Sequence, residues 1–384
     1  MRKVTKTTYG FAHVVLIIIV SVISIFVISL YLNKNDKLPR ESILPEIQKA
    51  LNKETPTTTP HPGQRPSGPE AFPFQDLTIP YLRSQKYESN LGELEKVSEN
   101  ANYTSYFTNY DSGGYRINGL LTIPKEGGLA SPKQSEGGWP AVIFVHGYIP
   151  PEEYQTLINY TSYVDFLARN GLVIFKIDLR GHADSEGDAS GAYYSGDYVI
   201  DILNAHAALK QLKDPSIVNS QMLIVDPEKI GLWGHSMAGN VVFRSFVAKP
   251  DIKKVVIWAG AGYTYSDLQE FRIQDNSYRP PPANTERARK RAELRNLYGD
   301  FNPDSEFWKQ VPGTNYLSGV NGEVQIHHAS DDNVVSIDYS RNLMSILDNT
   351  EIPHELFEYS SGGHNLVGNS FTQAMQRSAD FFRE

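Results

Sequence analysis

Cysteine is absent from the 384 residues, which excludes disulfides, thiolate nucleophiles and Cys-ligated zinc. Positive charge is also in short supply: 36 Lys and Arg face 44 Asp and Glu, for a net charge of −8. Binding to nucleic acid by counterion release needs cations clustered on one face, so no nucleic-acid partner is expected. The only dense basic run, Arg287-Ala288-Arg289-Lys290-Arg291, reads as the solvated face of a charged helix. No internal repeat stands out. Core-forming residues are plentiful, with 40% hydrophobic and 11% aromatic residues. That excludes disorder throughout and makes one large globular domain the simplest reading once the N-terminal segments are set aside.

Residues 11–32, behind a short tail at 1–10, form an uncharged and mostly apolar run of Val, Ile and Leu. At ~1.5 Å per helical residue such a run spans a hydrocarbon core of ~30 Å. A cleaved signal peptide has an apolar stretch of only ~7–15 residues followed by a small-residue cleavage site. Tyr31-Leu32-Asn33-Lys34 offers no such site, so an uncleaved single-pass anchor is expected. Arg2, Lys3 and Lys6 nearly balance Lys34, Lys37 and Arg40, so the charge rule says little about orientation. The Pro/Thr-rich segment 33–75, with Thr55-Pro56-Thr57-Thr58-Thr59-Pro60, reads as an extended stalk. The expectation is therefore a cytoplasmic N-terminus and an extracytoplasmic catalytic domain over 76–384, and protease shaving of intact cells tests it.

Within 76–384, residues 115–123 alternate as in an antiparallel hairpin, and 127–138 is a loop rich in Gly, Ser and Pro. From Trp139 onward, apolar β-branched runs at 141–145, 172–177, 229–233, 255–258, 324–328 and 355–359 alternate with longer helical segments at 154–169, 195–212 and 236–247. That is the pattern of an α/β domain with a mostly parallel sheet covered by helices. Segment 262–318 is too long for a plain connection and is expected to form a helical cap.

A serine hydroxyl is a weak nucleophile and must be held exposed beside a base and oxyanion donors. Lys229-Ile230-Gly231-Leu232-Trp233-Gly234-His235-Ser236-Met237-Ala238-Gly239 supplies a buried strand running through Ser236 into a helix, with small residues for the tight turn between them. The fifth motif position is Ala238 rather than Gly. In this arrangement the acid and then the base follow the nucleophile, each after a later strand. Ala329-Ser330-Asp331-Asp332-Asn333-Val334 and Ser360-Ser361-Gly362-Gly363-His364 meet that order. His364 is expected to be the base and Asp331 the acid. His327 and His328 are expected to pack or to orient the acid loop, His354 to be superficial and His235 to pack. The strand exit His146-Gly147-Tyr148 and the start of the helix suggest the N–H groups of Tyr148 and Met237 as oxyanion donors.

These motifs, together with Asp178-Leu179-Arg180-Gly181-His182-Ala183-Asp184-Ser185-Glu186-Gly187, resemble the catalytic domain of the prolyl oligopeptidase family from about Tyr81 to the C-terminus. The resemblance implies an α/β-hydrolase fold, an acyl-enzyme, and no metal or organic cofactor. Position in the family's H-G-x-x-D-x-x-V pattern assigns the acid to Asp331 and makes Asp332 its neighbour. Three positions depart from the family: His328 stands at a usual Gly, Ala183 at the second Gly of the Arg-Gly-His-Gly stretch, and Ala238 in the elbow. Too few residues lie between stalk and sheet for the family's β-propeller, so dipeptide release by that device is not expected.

The leading expectation is a serine peptidase cleaving short peptide or acyl-peptide bonds. The alternative is a carboxylesterase or dienelactone-hydrolase-like esterase, which shares the triad and differs in the leaving group. A surface-tethered binding protein that has lost catalysis is the third reading, and the retained Ser, Asp and His argue against it.

Overall fold

The computed structural model describes residues 71–125, 138–189, 191–213, 223–271, 273–276, 278 and 280–384. The expected anchor at 11–32, the stalk up to residue 70 and the loop at 126–137 lie outside the described residues. Among the described residues, no helix is long and apolar enough to cross a membrane.

A helix α1 (Ile79–Ser84) precedes three antiparallel strands, β1 (Glu95–Glu99), β2 (Tyr103–Ser112) and β3 (Tyr115–Pro124). Gly113 and Gly114, both at positive φ, form the two-residue turn of the β2–β3 hairpin, where the backbone twist demands it. There follow β4 (Trp139–Val145), α2 (Thr161–Arg169), β5 (Val173–Ile177), α3 (Asp197–Leu209), β6 (Val225–His235), α4 (Met237–Ala248) and β7 (Lys254–Trp258). The chain ends with α5 (Asp267–Glu270), α6 (Glu286–Tyr298), β8 (Glu323–Ala329), α7 (Asp338–Leu347), β9 (His354–Tyr359) and α8 (Asn369–Arg383). All nine strands form one sheet in the order β1-β2-β3-β5-β4-β6-β7-β8-β9. It is parallel from β5 to β9 and antiparallel at its β1–β3 side and across β3–β5.

Both faces of the parallel part are covered, so its strands read as continuous apolar runs. Along β4, Ile143 and Val145 enter a core shared with α3, α4 and α7, while Val142 and Phe144 enter a second core shared with α2 and α8. Parallel strands leave their C-terminal ends along one edge of the sheet, and the loops there carry Tyr148, Ser236, Asp332 and His364.

One expected helix is shortened. Residues 154–169 begin a helix only at Thr161, because Tyr160 sits at φ 62 and the chain before it is in turns. Isolated i→i−4 bonds occur, as from the Asn159 N–H to Gln155 O (3.0 Å), but they do not run on into a helix, and tertiary partners hold the stretch. The fully buried Lys176 donates to the carbonyls of Thr156 (2.5 Å) and Asn159 (2.9 Å), and Asp178 accepts the hydroxyls of Tyr154 and Thr156 at 2.6 Å each. Burial pushes the Lys176 ammonium down to about 8 and the Asp178 carboxyl up to about 6.

The segment from 71 is packed rather than extended: Leu77, Ile79 and Leu82 are fully buried, and Phe72 meets Phe307 edge-on. Insertion 262–318, between β7 and β8, carries α5 and α6. It has a small core of its own, in which Leu294, Phe307, Trp308 and Val311 gather with Leu77.

Candidate active site

Strand β6 ends at His235 and α4 starts at Met237, which leaves Ser236 to make the turn at φ 55, ψ −120. A non-Gly residue held there costs roughly 1–3 kcal/mol and marks a constrained functional position. The constraint is met on both sides. The Ser236 N–H donates to Trp258 O (2.8 Å), and Ser236 O accepts from the Gly239 N–H (2.9 Å). A Cβ on Gly234 would stand 2.8 Å from Ala238 O, and one on Gly239 would stand 2.7 Å from the Gly260 Cα. Those two positions therefore require Gly, while Ala238 is buried without conflict.

His364, half-buried in the loop after β9, has its Nδ1 2.8 Å from Asp332 Oδ2. The carboxylate beside His364 is therefore Asp332, which corrects the expected pairing with Asp331. Asp332 Oδ1 also accepts the N–H groups of Val334 (2.8 Å) and Val335 (3.0 Å), and its Oδ2 lies 3.1 Å from His328 Nε2. His328 Nε2 also faces Val335 O, so it carries a proton, and Ser340 caps the other ring nitrogen. Burial by itself raises the Asp332 carboxyl, but the hydrogen bonds from His328 and His364 and the backbone outweigh it and hold the group well below the usual carboxylate range. Asp331 is exposed and points elsewhere: it accepts the N–H groups of Gly362 (3.2 Å) and Gly363 (2.8 Å), tying down the loop that presents His364.

Tyr148, at the exit of β4, and Met237, the first residue of α4, line the same cavity as Ser236. The first N–H groups of a helix have no intrahelical acceptor, so the Met237 N–H is free to serve a substrate oxygen. Behind them runs a chain of hydrogen bonds that no sequence motif signals. The Gly147 N–H donates to Tyr160 Oη (2.9 Å), Tyr160 Oη lies 2.7 Å from His235 Nδ1, and His235 Nε2 lies 2.9 Å from His364 O. A carbonyl only accepts, so His235 Nε2 carries the proton and Tyr160 donates to Nδ1. His235 thus links the Gly147-Tyr148 loop to the His364 loop through the Tyr160 hydroxyl. Tyr160→Phe keeps the ring and strands two buried polar groups. It should cost about 1–3 kcal/mol in denaturant titrations and lower turnover as well; unchanged values for both would show that the link does nothing.

Buried imidazoles set the acid stability. Burial pushes His206 down to about 4, and His235 and His327 down to about 3. In the unfolded chain each titrates near ~6.5. With the folded values lower, unfolding takes up protons as pH falls, so the contribution of these imidazoles is full above about pH 7 and is lost from ~6.5 downward. Three such groups give a slope of up to about 4 kcal/mol per pH unit near pH 5, of which Asp178, raised to about 6 and so binding its proton more tightly when folded, offsets about 1. Denaturant midpoints at pH 7.5, 6 and 5 measure it, and a flat profile would contradict these neutral, buried histidines.

The cavity beside Ser236 measures about 370 Å³ and takes much of its wall from the insertion, including Leu268, Ile273 and Tyr278. The expected solvated basic run is corrected here. Arg289 is exposed and paired with Glu286, but Arg287 and Arg291 are half-buried and, with Lys290, line the cavity. Their helix face was set by packing that the sequence does not display. The Asp178–Gly187 stretch has a structural part: Arg180 pairs with buried Asp201 and with Asp197, and Ala183 adopts φ 46. Among the described residues, no group of three His, Asp or Glu is arranged to hold a metal.

Residues 142–364, more than half of the chain, match the sequence model of the Alpha/beta hydrolase family. Among solved structures, an acetyl xylan esterase from Paenibacillus sp. R4 is similar at 17% identity and a TM-score of 0.53, covering 81% of this chain and 96% of that one. The Pyrococcus horikoshii acylaminoacyl peptidase is similar at 17% identity and 0.51, covering 73% of this chain and 41% of that one. A Mycobacterium tuberculosis puromycin-hydrolyzing peptidase matches at 18% and 0.51, covering 74% and 40% respectively. The chain thus spans less than half the length of these peptidases and nearly all of the esterase. At such identities the likeness is one of fold.

Proposed function

The chain belongs to the Alpha/beta hydrolase family, and we propose on that premise that it is a serine hydrolase working through an acyl-enzyme on Ser236. The observation that carries the reading is the bond of His364 Nδ1 to Asp332, on the same sheet edge as a strained Ser236. With Nδ1–H committed to Asp332, His364 Nε2 is left as the base. It takes the Ser236 proton as Oγ adds to the substrate carbonyl, and Asp332 stabilises the imidazolium. The N–H groups of Met237 and Tyr148 receive the developing oxyanion. The same imidazolium returns its proton to the leaving group, and water then releases the acyl group by the reverse sequence.

Cleavage of short peptide or acyl-peptide bonds is the first reading, supported by the motif resemblance. Carboxylester cleavage is the second, favoured by the cavity: about 370 Å³, with Tyr148, Tyr193, Leu268 and Ile273 in its lining, suits a small acyl group. Rates on p-nitrophenyl esters against aminoacyl and acyl-peptide amides separate them. Rapid ester turnover with negligible amide turnover would reject the peptidase reading, and no turnover of either class would reject both.

A further inference from the structure

Helix α6 breaks the local rules for its own charges. Cations are unfavourable in the first turn of a helix, where the macrodipole favours acids, and like charges at i, i+4 repel. Arg287 is the second residue of α6, and Arg291 lies four positions on. Such conflicts between local preference and structure concentrate at functional sites.

Both side chains are half-buried in the wall of the cavity that holds Ser236 and Met237. Arg291 is partly satisfied by the aromatic wall. It lies 4.0 Å over the Tyr194 ring and donates to the hydroxyls of Tyr194 (3.0 Å) and Tyr278 (3.4 Å), while its buried Nε has no partner among the described residues. Arg287 is more open still. Its guanidinium is packed against Gly191, where a Cβ would stand 3.0 Å from a terminal nitrogen, and its charge reaches the buried His182 and Tyr198. Yet among the described residues no hydrogen bond or ion pair holds it. A guanidinium has five N–H donors in a rigid fork, and leaving them unmet in a partly desolvated wall is costly. The acids nearby do not answer it: Glu286 is engaged by Arg289, Asp275 has a partner of its own, and Asp188 forms no ion pair with either Arg.

We propose that Arg287, backed by Arg291, is an anion subsite, and that the preferred substrate is an ester or amide carrying a carboxylate on the part that enters the cap cavity. A carboxylate matches the planar fork through two parallel hydrogen bonds. The remaining cavity wall, with Tyr148, Leu268 and Ile273, takes the short apolar chain between the carboxylate and the scissile carbonyl. The inference rests on Ser236 being the nucleophile, since it deepens that reading by naming the substrate class.

The test compares mono-p-nitrophenyl glutarate with its neutral methyl ester on the full chain, at low salt. Wild type should favour the anionic ester in kcat/KM by about tenfold to a hundredfold, the range for a charge-assisted pair. That ratio should fall at least tenfold in Arg287→Gln, fall less in Arg287→Lys, and stay within about twofold in Arg295→Gln, which alters an exposed charge on the same helix that pairs with Asp300 away from the cavity. Calorimetric titration of the Ser236→Ala chain with both esters reads the same preference without turnover. Equal binding of the two esters, or one ratio shared by wild type and Arg287→Gln, would overturn the subsite. A binding preference that Arg287→Gln removes, with no Ser236-dependent turnover, would leave the subsite standing and reject the hydrolase reading alone.

Discussion

Ser236→Ala should reduce turnover of any accepted substrate by about 10⁴-fold to 10⁶-fold, while the folded chain persists. Removing the nucleophile of a Ser-His-Asp site leaves only the residual rate from oxyanion donors and binding. The elbow is held by its backbone, through the bonds of Ser236 to Trp258 and Gly239, and not by the Ser236 hydroxyl. Alanine lacks only that hydroxyl and meets the same φ of 55 that Ser236 already meets, so the melting temperature should change little. Labelling by a fluorophosphonate probe should disappear together with activity. Persistent labelling or turnover in the folded variant would move the nucleophile to another residue, and failure of folded wild type to label would favour a binding protein.

The two adjacent aspartates should separate almost as sharply. Asp332→Asn should lower kcat by about 10⁴-fold, as amide substitution at the acid of such a triad does by favouring the wrong imidazole tautomer. The amide can offer an N–H to His364 Nδ1, which then accepts and leaves Nε2 protonated toward Ser236. The same amide would also face His328, whose Nε2 already donates to the native carboxylate and to Val335 O. Asp331→Asn should keep turnover within about tenfold of wild type, because an amide oxygen can still accept from Gly362 or Gly363 and the residue does not touch His364. Both variants are read by kcat/KM and by the rate of fluorophosphonate labelling. A large loss at Asp331 with normal rates at Asp332 would reverse the assignment.

Ser236 and His364 were legible as site candidates because each lies in a local pattern. A strand, a turn of small residues and a helix follow one another within the β6–α4 segment, and the Gly-rich turn before His364 follows β9. Alternation of apolar runs located β4 to β9 to within a few residues, since burial on both faces of a parallel sheet leaves its mark in each strand. The first part of the 154–169 helix was misread because Lys176 and Asp178, distant in sequence, claim the polar groups of 154–160.

Sequence by itself determined that this chain has a covered, mostly parallel sheet with Ser236 and His364 on its loops, because covalent neighbours suffice to make a strand, a tight turn and a helix start. It could not decide the acid. His327-His328, Asp331-Asp332 and Val334-Val335 are three doublets, and the H-G-x-x-D-x-x-V pattern fits them in either of two registers one residue apart. Only the tertiary structure chose, by setting His328, Asp332 and Val335 in mutual hydrogen-bonding distance and turning Asp331 to the Gly362-Gly363 backbone. The same holds for the basic run on α6. Its composition is local, but the face that Arg287 and Arg291 present depends on how the insertion packs against the rest of the domain, and that face decides whether the charges meet solvent or substrate.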